Sequence, residues 1–331
     1  MKKKRFLSLL AVAPLALLAA CSSTPGLVLE ANWFSNTGTK NIPDDFEERL
    51  EYAVSFEKSA ASEGGRFSLD YPEGGTYKVT FSNGRVNGQK TFVYTTESSI
   101  KAKYTLDGVS TNFEEPETVK TRVEFLDVQN ELRPLSSSRE VHGTAPLCNP
   151  TDSPKTLASA YRVNSYKTEV VYNWEEETAT FTRTYFADDT AGAKQETREI
   201  DVDCNGLFFD NEQLFPLLRA AELSSSMAIY TIDPTDKTKV KMSVKSGPSD
   251  ATLKQSVSIN GAEAKEIDFN VTEIGLGYDK KNSGGTQTFT IAKRGARDSN
   301  TYRNVMLKYS YPVIYSHGTI TYRLTTANFY G

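Results

Sequence analysis

Apolar and polar residues alternate along most of this chain. In "LEYAVSF" the residues Leu50, Tyr52, Val54 and Phe56 fall on every second position, as do Phe67, Leu69 and Tyr71 in "RFSLDY" and Tyr77, Val79 and Phe81 in "TYKVTF". A period of two places each set on one face of a pleated strand. "PEGG" at 72–75 and "SNGRVNG" at 82–88 supply the Gly and Asn that tight turns need. "KTFVYTT" and "IKAKYTL" follow, with "LDGVS" as the next turn. The second half repeats this grammar. Tyr166, Val170, Tyr172 and Trp174 share a face, and so do Phe181 and Tyr185 across the turn "EEET". Val240, Met242 and Val244, then Val257 and Ile259, then Ile267, Phe269 and Val271 continue it. Phe289 with Ile291, Val305 through Tyr311, and Ile320, Tyr322 and Leu324 complete it. Half-apolar strands of this kind suit antiparallel sheets with one face packed. The predicted fold is mainly β: an antiparallel, curved sheet, or a partly closed barrel or sandwich, with one short helix near 211–223.

That helix is the one break in the period. "DNEQLFPLLRAAEL" sets Leu214, Leu217, Leu218 and Ala221 at helical spacing, and Asp210 with Gln213 resembles a capping box. Pro216 is expected to open the helix or kink it, because a proline deeper inside removes a backbone hydrogen bond. A lone helix on a β domain buries its leucines against the sheet or plugs a barrel end. "HGTAPLCNPTDSPKT", 142–156, lacks apolar period and concentrates turn residues, so it marks a candidate boundary. It divides the chain into a first β lobe, 33–147, and a second, 148–331, or it is a long loop within one continuous domain.

The N-terminus has a different composition. Lys2, Lys3, Lys4 and Arg5 precede the apolar run "FLSLLAVAPLALLAA" at 6–20. The run falls short of the roughly 20 residues of a membrane-spanning helix and reads as a signal peptide over 1–20. It ends in Leu18-Ala19-Ala20-Cys21, which resembles the bacterial lipobox. The resemblance implies diacylation of the Cys21 thiol, cleavage before it and further acylation of the new amine. Several acyl chains on one residue anchor a protein stably. The expected location is therefore the extracytoplasmic face of a bacterial cell membrane, with the partner membrane held through lipid on Cys21 and residues 21–32 as a short tether. Cys148 and Cys204 remain, either as one disulfide or as two free thiols.

Charge is nearly balanced, with 38 Lys+Arg against 42 Asp+Glu and a net charge of −4. This argues against a nucleic-acid partner, which would require a basic stripe. Aromatics are plentiful, with 17 Tyr and 17 Phe, and suit a pleated surface. The two histidines, His142 and His317, carry no metal-binding or triad motif around them and read as turn or surface residues. The carboxylate clusters Glu114, Glu115 and Glu117, Glu175 to Glu177, and Asp188 with Asp189 fall at predicted turns and read as solvated. Their pattern is not that of a calcium loop. "KRGAR" at 293–297 contributes Lys293, Arg294 and Arg297, with Lys280 and Lys281 upstream. This cluster is either a soluble loop or a contact for anionic headgroups or an acidic glycan. No cofactor, metal or catalytic motif is read.

"LFFDNEQLFPLLRAAEL", "KVKMSVKSG", "AKEIDFNV" and "SHGTITYRLTTANF" occur in an order that resembles the bacterial envelope family of domain of unknown function 3108, as does the opening "FEERLEYAVSF". The resemblance implies an exported, partly closed β barrel and brings no catalytic residues. The expected function is a non-enzymatic, lipid-anchored envelope protein that binds an apolar or glycan ligand. The alternatives are an interaction subunit with an envelope protein partner and, behind it, a hydrolase of envelope polymers.

Overall fold

Strand β1, Glu47–Lys58, buries Glu48, Leu50, Tyr52 and Val54 and exposes the residues between them. The same alternation organises the rest of the chain. The computed structural model describes residues 29, 33, 44–111, 113–128, 131–203, 207–221, 226–247, 251–278, 285–292 and 304–330. After β1 come a one-turn helix α1 (Ala60–Gly64) and strands β2 (Phe67–Asp70), β3 (Gly75–Val86), β4 (Gln89–Ile100), β5 (Lys103–Leu106), β6 (Val109–Ser110), β7 (Glu117–Val128) and β8 (Glu131–Pro146). Then follow β9 (Tyr161–Asn173), β10 (Thr178–Tyr185), β11 (Lys194–Asp201), helix α2 (Leu214–Ala220), β12 (Met227–Asp233), β13 (Thr238–Ser246) and β14 (Ala251–Ile259). The last are β15 (Lys265–Tyr278), β16 (Gln287–Ala292), β17 (Met306–Pro312) and β18 (Gly318–Tyr330).

Fifteen strands form one sheet, in the order β11-β10-β9-β8-β7-β4-β3-β1-β18-β17-β16-β15-β13-β12 with β14 set between β15 and β18. The pairings are antiparallel except that of β14 with β18, where Ser258 faces Thr326 and Ile259 faces Ala327 in parallel. That pairing closes β14, β15, β16, β17 and β18 into a small ring. The curved, partly closed antiparallel sheet expected from the alternation is the fold observed. A separate sheet of three strands, β2-β5-β6, adds Phe67, Leu69, Tyr104 and Leu106 to the core.

The two far edges of the large sheet come together without a continuous ladder. Phe208 bridges Tyr230 of β12 in parallel, and Phe209 N donates to Tyr230 O at 2.9 Å. Lys239 Nζ reaches Asp201 of β11 at 2.8 Å, Arg198 Nη1 donates to the Asp236 carbonyl at 3.1 Å, and Lys237 pairs with Glu196. Val170, Tyr172, Ala179, Phe181, Ile200, Val202, Phe208 and Ile232 pack beneath this seam as a core of their own. Open sheet edges are templates for unwanted pairing, and meeting charged edges removes them.

The helix begins with a single 3-10 turn, Asn211–Gln213, in which both bonds of the capping box at Asp210 and Gln213 are present. Pro216 lies in the first turn of α2, and all of its residues are buried, Arg219 included. At its end Ala221 bridges Leu29. The candidate boundary at 142–156 is shorter than its composition suggests: residues 142–146 belong to β8, whose Pro146 faces Tyr161 of β9. Gly143, Thr144 and Ala145 lack the bulk that makes a period visible. The strands on either side, β8 and β9, are neighbours in the large sheet.

Candidate functional site

Cross-strand register collects tyrosines on the inner face. Tyr309 faces Tyr322, Phe289 faces Tyr309, and Tyr52 faces Tyr77. Their rings are in contact, at 4.9 Å between Tyr77 and Tyr322, 5.3 Å between Tyr309 and Tyr322, and 4.6 Å between Phe289 and Tyr309. Tyr52 Oη donates to the Met306 carbonyl at 2.9 Å. Burial pushes the phenols of Tyr52, Tyr94, Tyr309 and Tyr322 well above their ordinary value and that of Tyr77 up to about 12, so all stay neutral at physiological pH. Tyr77, Tyr309 and Tyr311 are only partly buried.

A second row crosses the same face. Val79 faces Thr96, Thr96 faces Thr121, Thr121 faces Arg139, Arg139 faces Thr168, and Thr168 faces Arg183. Thr96 and Thr121 join their hydroxyls at 2.7 Å. Arg139 shares its face with Ser137 and Val141, both buried, yet its own side chain keeps 38% of its surface accessible. Glu212, from the turn that leads into α2, meets it at 3.4 and 3.5 Å. Desolvation lowers the basicity of Arg139, but the charge of Glu212 and its hydrogen bond outweigh this and raise it overall. Burial raises Glu212 above the usual carboxylate range, partly offset by Arg139.

Two further acids turn inward. Asp210 accepts from Ser137 Oγ at 2.6 Å, from Tyr172 Oη and from Glu212 N at 2.8 Å, while burial raises its pKa. Glu117 begins β7 and accepts from Thr144 N at 2.8 Å and from the Thr144 hydroxyl, which lies 3.0 Å from Tyr104 Oη. Burial pushes Glu117 up to about 7.

The sequence-based candidates are distributed differently. Glu114, Glu115, Glu175, Glu176, Glu177 and Asp188 are exposed, as expected of solvated turns. Glu117 and Asp189 are not. Asp189 is buried and accepts from Ser165 N at 2.7 Å and Ala191 N at 2.6 Å, which staples its loop. His142 is exposed on β8, stacked on Phe186 with centroids 5.0 Å apart. His317 is in a turn but wholly buried, not at the surface: its Nε2 donates to the Cys148 carbonyl at 2.9 Å, its ring meets Phe67 edge-on, and burial lowers its pKa. Cys148 is a free thiol 3.9 Å from the Ala160 carbonyl, and burial raises its pKa. Cys21, Cys204, Lys280, Lys281, Lys293, Arg294 and Arg297 lie outside the described residues.

Sequence reading did not single out Arg139, Arg183 or Glu212. The available signal was phase: Arg139 falls in step with Ser137 and Val141, and Arg183 with Ala179 and Phe181. A charge on the apolar phase of a strand points inward.

No protein-family model matches the chain. No curated protein matches it in sequence. Among solved structures it is similar to the crystal structure of a beta-barrel-like protein of domain of unknown function DUF1849 from Brucella abortus, at 10% identity and a TM-score of 0.41, over 86% of this chain and 98% of that one.

Proposed function

We propose that this is a non-enzymatic, lipid-anchored protein of the bacterial cell envelope that holds a ligand against the inner face of its curved sheet. The supporting observation is Arg139, an inward-facing charge with 38% of its side chain accessible, set among partly accessible tyrosine rings. A face built only as core would bury such a group or replace it by an apolar one. Ring surface with a few polar groups is the usual lining of a ligand site. Native mass spectrometry of the Cys21→Ser protein, purified in soluble form, tests the reading. A recurrent adduct lost on Arg139→Ala is expected, and adduct-free protein from repeated preparations would overturn it.

Anchoring through Cys21 has its own test. Cys21→Ser should release the protein from membranes, and an N-terminal peptide of the wild type free of lipid would end that part of the reading. Lys293, Arg294 and Arg297 are proposed to meet anionic headgroups. The chain re-emerges from that segment at Asn304, whose Nδ2 donates to the Arg219 carbonyl at 2.7 Å, and the bridge of Ala221 to Leu29 lies just beyond.

A partner protein is the second reading. Ile314 and Tyr315 are exposed on a turn where Tyr315 and Ser316 adopt φ of 59° and 57°. Bulky residues rarely take this conformation without a reason. A pull-down from detergent-solubilised membranes that loses a protein on Tyr315→Ser would favour it.

A further inference from the structure

We infer that Arg139 and Arg183, on either side of Tyr166, form an anion-binding subsite and that the ligand is an acidic saccharide. The inference rests on the reading of the inner face as a ligand site. Register brings the pair together: Arg139 of β8 faces Thr168 of β9, and Thr168 faces Arg183 of β10. Strands are spaced by about 4.8 Å, so the two backbones stand about 10 Å apart. Tyr166 shares the face of Thr168, and the Arg183 guanidinium carbon lies 4.6 Å from its ring centroid.

The charges in this row do not balance. Arg139 has the two long contacts to Glu212. Arg183 is 8% exposed, and Nη2 donates to the Pro234 carbonyl. Its Nε has no hydrogen-bond partner, and no carboxylate pairs with it among the described residues. The row thus carries two guanidiniums and one paired carboxyl, which contacts Arg139 alone, while Arg183 rests against the rings of Tyr166, Phe181 and Tyr185. A buried cation without a counter-charge is costly, and the guanidinium fork matches a carboxylate or phosphate. An anionic group between the two would satisfy both.

The remaining wall decides the body of the ligand. Tyr77, Tyr309 and Tyr311, all only partly buried, stand on the face that carries the Thr96 and Thr121 pair. Tyr309 Oη already donates to Gln287 and the two threonine hydroxyls pair with each other, so what these groups have left is acceptor lone pairs, which an acyl chain would leave unsolvated and a sugar hydroxyl would fill. A sugar ring stacks its C–H face on an aromatic face and pairs its hydroxyls with theirs.

The test is calorimetric titration of the mature Cys21→Ser chain with trigalacturonate, maltotriose, acetate and laurate. Trigalacturonate is expected to bind more tightly than the other probes. Arg139→Gln and Arg183→Gln should each weaken it roughly tenfold or more, with Arg139→Lys and Arg183→Lys retaining part of the affinity. The lysine variants also serve if a glutamine variant does not fold. Equal binding of maltotriose overturns the anion assignment and leaves the ligand-site reading standing. Acetate binding as well as trigalacturonate reduces the subsite to one for a bare anion and overturns the saccharide. Preference for laurate overturns it in favour of a lipid. Failure of all four overturns the inference, while the native mass measurement independently decides whether the face holds any ligand.

Discussion

Arg219 of α2 and Glu48 of β1 meet as a doubly hydrogen-bonded pair, Nη1 to Oε1 at 2.6 Å and Nη2 to Oε2 at 3.1 Å, with both side chains nearly inaccessible. Trp33, Phe81 and Phe215 stand around the guanidinium with ring centroids 5.7–6.0 Å away. The pair joins the helix to the sheet. Removing one partner leaves a buried charge uncompensated, so Arg219→Met should cost about 3–5 kcal/mol in urea denaturation. The double variant with Glu48→Met should be less destabilised than the sum of the single ones. Strict additivity would mean that the two groups are not coupled in this way.

The seam is expected to open before the rest of the sheet. Lys239 with Asp201 and Lys237 with Glu196 are partly exposed pairs, each worth about 0–1 kcal/mol and screened by salt. Lys239→Met should therefore lower global stability by less than about 1 kcal/mol. Amide hydrogen exchange in β11 and β12 should nevertheless quicken, and quicken further in high salt. Uniform exchange across the sheet would count against a weak seam.

Stability should decline from acid toward neutral pH because of Glu117. Its pKa is raised by burial to about 7 from an ordinary value of 4.5. The native state therefore binds a proton that the unfolded state releases between those values. This stabilisation is complete below about pH 4.5 and is lost as pH rises through about 7. One such group changes stability by at most about 1.4 kcal/mol per pH unit. Asp210 and Glu212 are shifted in the same direction. Chemical denaturation as a function of pH should show this slope, and Glu117→Gln should flatten it. An unchanged slope in that variant would assign it to other groups.

Gly318 opens β18 where a side chain has no room. A Cβ there would collide with the Glu57 carbonyl oxygen and stand 2.6 Å from Phe56 Cζ. Gly318→Ala should destabilise by about 1–3 kcal/mol through strain at the β1–β18 pairing. A thermal midpoint equal to that of the wild type would mean that the strand ends separate without cost.

Local pattern determined much of this protein. The period of two in β1, β3 and β18 chose strands and their inward residues, because side-chain direction along a strand depends on position alone. Asp210, Gln213 and Pro216 marked where the helix starts, because capping is satisfied within one turn. Within the candidate boundary at 142–156, residues 142–146 belong to β8, where Gly143 and Ala145 leave no apolar mark on a strand that is nonetheless paired. Glu117 looked like its neighbours Glu114 and Glu115, and only the approach of Thr144 and Tyr104 drew it inside. His317 likewise became a buried residue through contact with Phe67 and Cys148, which are distant in sequence. The row of Arg139, Thr168 and Arg183, the closure of β14 on β18 and the meeting of β11 with β12 and β13 belong to the tertiary structure. Register and curvature arise from pairing between segments far apart in the chain, and no local pattern specifies which inward charge will meet which.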